Sequence, residues 1–114
     1  MTIRNLTRGT VLAERVNTAQ SLKSRIVGLI GQSSLVSGSA LALPRCNSIH
    51  TFFMRFAIDV LFLDAKGKVA GKIENMLPFR ISPIFWRAKT TIELPAGTLK
   101  NTATQLADYI VIES

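Results

Sequence analysis

The 114-residue chain has one cysteine, one histidine and one tryptophan, and its seven acidic side chains are outnumbered by fourteen basic ones. A single cysteine rules out an internal disulfide, so core packing must carry the stability. No apolar run approaches the roughly 18 residues that a membrane-crossing helix needs. The opening "MTIRNLTRGTVLAERV" has no apolar segment of the kind that directs export, because Arg8 and Arg15 interrupt it. We therefore expect a soluble chain, cytoplasmic or of unassigned compartment. There is no GxSxG elbow and no phosphate-binding loop, and we assign no catalytic residue. Repeats, low-complexity tracts and linkers are also missing, so residues 1–114 read as a single domain. No Lys/Arg run of five exists either. The net charge of +7 is spread over positions such as Arg4, Arg8, Lys23, Arg45, Arg55, Lys72, Arg87 and Lys100. Such a surface suits anionic partners in general, but scattered charge disfavours nucleic acid as the dedicated ligand.

What is present is mostly strand pattern. "TIRNLTRGTVLAERV" reads as two strands around a turn at Arg8-Gly9. The period then changes: Ala19, Leu22, Ile26, Leu29 and Ile30 recur at helical spacing. Asn17 or Thr18 is placed to cap that helix and Gly31 to stop it. "SGSALALP" is a strand ended by Pro44. From Ser48 to Asp64 the even positions are mostly apolar, which predicts one buried face. Seventeen residues is long for a strand, so a break near Arg55 to Ala57 should divide it into two. "DAKGK" is a hairpin turn with Gly67 at positive φ, and Val69, Gly71 and Ile73 return from it. "NMLPFRISPIFWRAK" is a loop, "TTIELPAGT" a strand ended by Pro95 and Gly97, and "DYIVIE" a terminal strand. The expected fold is mainly β: a compact antiparallel barrel or sandwich of seven to eight short strands with one packed α-helix.

"GLIG", "IHTFFMRFAIDVLFLD", the strand after "KGK" and "IELPAGT" occur here in the order and spacing of an uncharacterised prokaryotic family. The chain resembles domain of unknown function 192, also called UPF0127, from about Val16 to Ile112. The resemblance implies a small β-barrel or sandwich with one helix, and leaves activity, substrate and cofactor unassigned. Many members of the family look exported or membrane-anchored. The family usually has proline where Ala57 stands and glycine where Ala107 precedes Asp108.

Three sets of residues are candidates for a site. Cys46, His50 and Met54, spaced by four, are soft ligands that suit copper. On a helix that spacing brings them within reach of one ion, at about 6 Å. On a strand it separates them by about 13 Å, and the alternation argues for a strand, so no metal site is assigned. His50, Arg55, Asp59 and Glu93 form a second set, read as a polar rim that binds a ligand or, alternatively, supports hydrolase-like chemistry through His50 and Asp59. A structural role for Asp59 competes with both, as an ion pair with Arg55 or a turn-capping carboxylate. The third set is Phe79, Ile81, Ile84, Phe85 and Trp86 interleaved with Arg80, Arg87 and Lys89. We read it first as a lid with Trp86 in the core. If Phe85 and Trp86 are exposed together, it is a contact surface. The function expected overall is a non-catalytic binding domain for a small molecule, a glycan or a protein, through His50, Arg55, Asp59, Glu93 and Trp86. The cofactor and the oligomeric state are left open.

Overall fold

The structure, a computed structural model, describes residues 1–19, 35–52 and 54–113. The Thr- and Val-rich start forms the expected hairpin, β1 (Thr2–Asn5) and β2 (Thr10–Ala13), with Gly9 at φ 70° in its turn. The chain's last strand, β8 (Ile110–Glu113), pairs with the other edge of β1. This gives a three-stranded antiparallel sheet of order β2-β1-β8.

The second sheet has five strands in the order β3-β4-β7-β5-β6. These are β3 (Arg15–Thr18), β4 (Ser39–Pro44), β5 (Ile58–Leu63), β6 (Val69–Met76) and β7 (Thr90–Pro95). Gly67, at φ 84°, turns β5 into β6 as expected. The architecture is a sandwich rather than a closed barrel. It is also not wholly antiparallel, since β3 runs parallel to β4. Asn17 and Thr18, read as helix caps, lie in β3, and the rest of the expected helix falls at residues 20–34, outside those described. Gly97, at φ 95°, leads into one short helix that the pattern had not signalled, α1 (Thr98–Asn101).

The expected pair of strands across Ser48–Asp64 is reduced to one. Only Ile58–Leu63 joins the sheet, while residues 45–57 cross its outer face as a loop that touches strand geometry once, at a bridge from His50 to Ile81. β5 lies between β7 and β6 and is buried on both faces, which explains why every residue in it but Asp59 is apolar. Leu61 and Leu63 face the three-stranded sheet with Ile3, Leu12, Ile92, Leu94 and Leu99. Ile58, Val60 and Phe62 face the other way, onto Ile49, Met54, Met76 and Ala88. Among the described residues, Cys46, Ile49, Met54 and Phe56 and, from the other loop, Phe85 and Ala88 pack on this second core, and no second sheet does.

At the far end of the small sheet, Asp108 is buried in a hydrogen-bond network. It accepts from Asn5 Nδ2 at 3.0 Å, Arg8 Nε at 3.0 Å and the Gln105 N–H at 2.9 Å. Burial alone would raise its pKa. The hydrogen bonds from Arg8, Asn5 and Gln105, together with the Arg8 charge, outweigh burial and lower it to about 2.

Candidate functional site

Two members of the predicted polar rim, Asp59 and Glu93, are kept apart by the strand pairing. Asp59 pairs with Leu94 across β5 and β7, whereas Glu93 pairs with Val60. Side chains alternate along a strand, so the two carboxylates lie on opposite faces of the large sheet. Both residues are fully buried.

Asp59 is a structural carboxylate. Its Oδ1 accepts the Asn75 N–H at 2.8 Å, and its Oδ2 accepts the N–H groups of Gly97 at 3.1 Å and Leu99 at 2.9 Å. The first of these bonds holds a bulge in β6, where the register shifts opposite Ile58–Val60 and Asn75 takes φ 55°. The other two tie down the turn into α1 and its first N–H groups, which no side chain of the helix's own cap residue satisfies. Of the two structural roles weighed for Asp59, the turn-capping carboxylate is therefore the one observed. Arg55 is exposed and makes no ion pair among the described residues.

Glu93 faces the second core, with Leu41 and Val60 beside it on the neighbouring strands. His50 is half-buried at the base of the 77–89 loop. Its Nδ1 accepts the Phe52 N–H at 3.3 Å, and its ring stacks on Phe52 with centroids 4.9 Å apart. Cys46 Sγ donates to the Ser48 carbonyl at 3.1 Å, and Met54 is buried in the second core. Among the described residues no three His, Cys, Asp or Glu side chains converge.

The third set is the one that meets solvent. Trp86 is not core: it is 78% exposed, beside Ile81 at 69% and Phe79 at 62%, with Leu77 and Ile84 also exposed. Phe85 takes the buried role instead. Its ring stacks on Phe62 at 4.3 Å and lies over Gly71, where a Cβ would collide with it. Between the exposed residues, Ser82 is only 5% exposed and Phe85 is half-buried against the second core.

This inversion of the usual burial order is held by specific bonds. Thr51, fully buried, pins the loop with both backbone and side chain. Its N–H donates to the Arg80 carbonyl at 2.8 Å and its carbonyl accepts the Phe79 N–H at 3.0 Å. Its Oγ1 donates to the Leu77 carbonyl at 2.6 Å and accepts the Arg80 N–H at 2.9 Å. Ser82 Oγ accepts the Ile49 N–H at 2.9 Å, and the Phe85 N–H donates to the Asn47 carbonyl at 2.9 Å. Between these anchors Phe79 sits at φ 60°, a strained backbone for a bulky residue. The sequence pattern had singled out neither Thr51 nor Ser82.

Comparison with known proteins places the chain. The model of the domain of unknown function 192 family, described as "Uncharacterized ACR", matches residues 3–112. The chain belongs to the DUF192 family. A UPF0127 protein from Thermococcus sibiricus is 34% identical over 110 residues, covering 93% of this chain and 71% of the relative. A second, from Pyrococcus horikoshii, is 34% identical over 98 residues, covering 83% and 84%. A crystal structure of a protein of unknown function from Novosphingobium aromaticivorans shares the fold. Its TM-score is 0.80 at 16% identity, over 97% of this chain and 82% of that one. Ala107, before Asp108, stands at φ 70°, a conformation that favours glycine.

Proposed function

We propose that this DUF192 protein is a non-catalytic binding domain whose contact surface is the loop 77–89, centred on Trp86. The observation that carries this reading is the exposure of Phe79, Ile81 and Trp86 on a backbone hydrogen-bonded in place through Thr51 and Ser82. Moving a large apolar side chain out of water is worth about 1.5–3 kcal/mol. Three or four such groups grouped on one loop therefore represent several kcal/mol that the isolated chain does not use. Preordering the loop lowers the entropy lost on contact. The alternative reading, catalysis by His50 with Asp59, is opposed by the three backbone hydrogen bonds that occupy both oxygens of Asp59.

Photo-cross-linking in the native cell tests the proposal. A benzophenone amino acid at position 81 or 86 should give discrete adducts. The same group at Val11 or Leu106, exposed apolar positions elsewhere on the surface, should not. Equal labelling at all four positions, or none at 81 and 86, would remove the contact-surface reading.

A further inference from the structure

The contact-surface reading can be taken one step further, to the chemistry of what the loop meets. No acidic residue occurs between Glu74 and Glu93, while Arg80, Arg87 and Lys89 fall within that stretch. Next to the loop, Lys66, Lys68, Arg87, Lys89 and Tyr109 line one open pocket, and Lys89 also borders a second with Arg45 and Asn47. None of these six cations forms an ion pair among the described residues. The one carboxylate at the first pocket, Asp64, turns its Oδ1 into the hairpin, where it accepts the N–H groups of Lys66 and Lys68, each at 2.9 Å. The exposed apolar side chains of the loop thus share their chain segment and the neighbouring pockets with six cations and one carboxylate, Asp64, whose pKa the Lys68 N–H and, after it, the charges of Lys68 and Lys66 help to lower.

We infer that the 77–89 loop seats the protein on an anionic phospholipid surface. Phe79, Ile81, Ile84 and Trp86 would enter the boundary between headgroups and acyl chains, and Arg45, Lys66, Lys68, Arg80, Arg87 and Lys89 would lie against the phosphates. Three features favour a bilayer over other anionic partners. Ile81 and Ile84 have no π-face, so they add nothing to stacking on nucleic-acid bases but do partition into hydrocarbon. Tryptophan is the residue most at home at the level of the headgroups, with an apolar ring and one donor. Arg80 stands between Phe79 and Ile81, while the other five cations lie outside the run from Phe79 to Trp86 in sequence, which is how an interfacial anchor carries most of its charge. This inference rests on the contact-surface reading, but it fails separately from it.

The test is co-sedimentation of the full chain with vesicles of phosphatidylcholine alone and with vesicles containing phosphatidylglycerol. The chain should pellet with the anionic vesicles and not with the neutral ones, and raising the salt should release it. Ile81→Ser combined with Trp86→Ser should weaken partitioning by at least about tenfold, since each removes a large exposed apolar group that would otherwise enter the bilayer. Lys66→Gln and Lys89→Gln should each weaken it several-fold, by about fivefold for one phosphate-facing cation. Val11→Ser should change nothing, and circular dichroism should show all variants folded. The inference is overturned by no anionic-vesicle binding, by binding that survives the Ile81/Trp86 double change, or by preference for a single-stranded oligonucleotide over vesicles. Protein adducts at positions 81 and 86 without any vesicle binding would overturn this inference and leave the contact-surface reading standing.

Discussion

Asp59→Asn is the substitution that separates a structural carboxylate from a functional one. Asp59 accepts three backbone N–H groups with two oxygens. Asparagine is nearly isosteric but keeps one acceptor and turns an NH2 donor toward whichever N–H groups lose theirs. The less costly orientation keeps the carbonyl on Gly97 and Leu99 and sets donor against donor at Asn75. A hydrogen bond to a charged group contributes about 1.5–3 kcal/mol, and a buried unsatisfied N–H costs about 1–3 kcal/mol. Weakening two bonds and losing the third should therefore destabilise the fold by about 2–4 kcal/mol. At about 2.1 cal/mol/K of unfolding entropy per residue, a chain of this length loses about 4 °C in Tm per kcal/mol, so the melting point should fall by about 8–16 °C. Urea and thermal unfolding followed by far-ultraviolet circular dichroism measure this directly. A loss under about 0.5 kcal/mol, the scale of an ordinary surface change, would refute the assignment. Folded Asp59→Asn should also keep the 77–89 surface, so its vesicle binding should match the parent's.

Other expectations concern the loop and the far network. Thr51→Val keeps shape but leaves the Leu77 carbonyl and the Arg80 N–H without the hydroxyl. It should cost about 1–3 kcal/mol, and amide exchange should accelerate at residues 79–82 but not in β5; uniform acceleration would count against a local pin. Ala107→Gly relieves a left-handed alanine at φ 70°. It should raise stability by about 0.5–1 kcal/mol, the strain relieved being partly offset by the greater freedom of unfolded glycine; a loss in Tm would contradict this. Asp108 has a lowered pKa in the folded chain, so its stabilising contribution is complete above the ordinary value of 3.8 and is lost as pH falls through about 2. The stability gap between the parent and Asp108→Asn should therefore shrink as pH drops across that window. A gap that stays constant would exclude titration as its source.

Much of the sandwich was legible in local pattern. The β1–β2 hairpin follows from Thr- and Val-rich runs around a glycine turn, and the β5–β6 hairpin from Asp64 and Gly67. What local pattern could not show was which apolar alternation joins a sheet. Residues 48–57 alternate as well as residues 58–63, yet only the second set has strands on both sides. In the first set Ile49 and Thr51 instead exchange backbone hydrogen bonds with Phe79, Arg80 and Ser82. The same limit misplaced the polar candidates. Asp59 and Glu93 each break an apolar strand and so read alike, but strand pairing alone decides that they face opposite layers. A lone tryptophan among apolar neighbours resembles core, yet Trp86 is 78% exposed and Phe85 occupies the place over Gly71. The signal that did point to the surface was electrostatic: an apolar loop with three cations and no carboxylate between Glu74 and Glu93.

Trp86 is the chain's only tryptophan, so its fluorescence reports on the proposed surface without labelling. Its emission in the free protein is the most direct test of the account. An indole that is 78% exposed should emit at the long wavelength of a water-exposed ring, and acrylamide should quench it almost as freely as a model indole in solution. A short-wavelength emission shielded from acrylamide in the free, folded chain would mean that the loop is a closed lid, and would contradict the contact surface on which the functional reading depends.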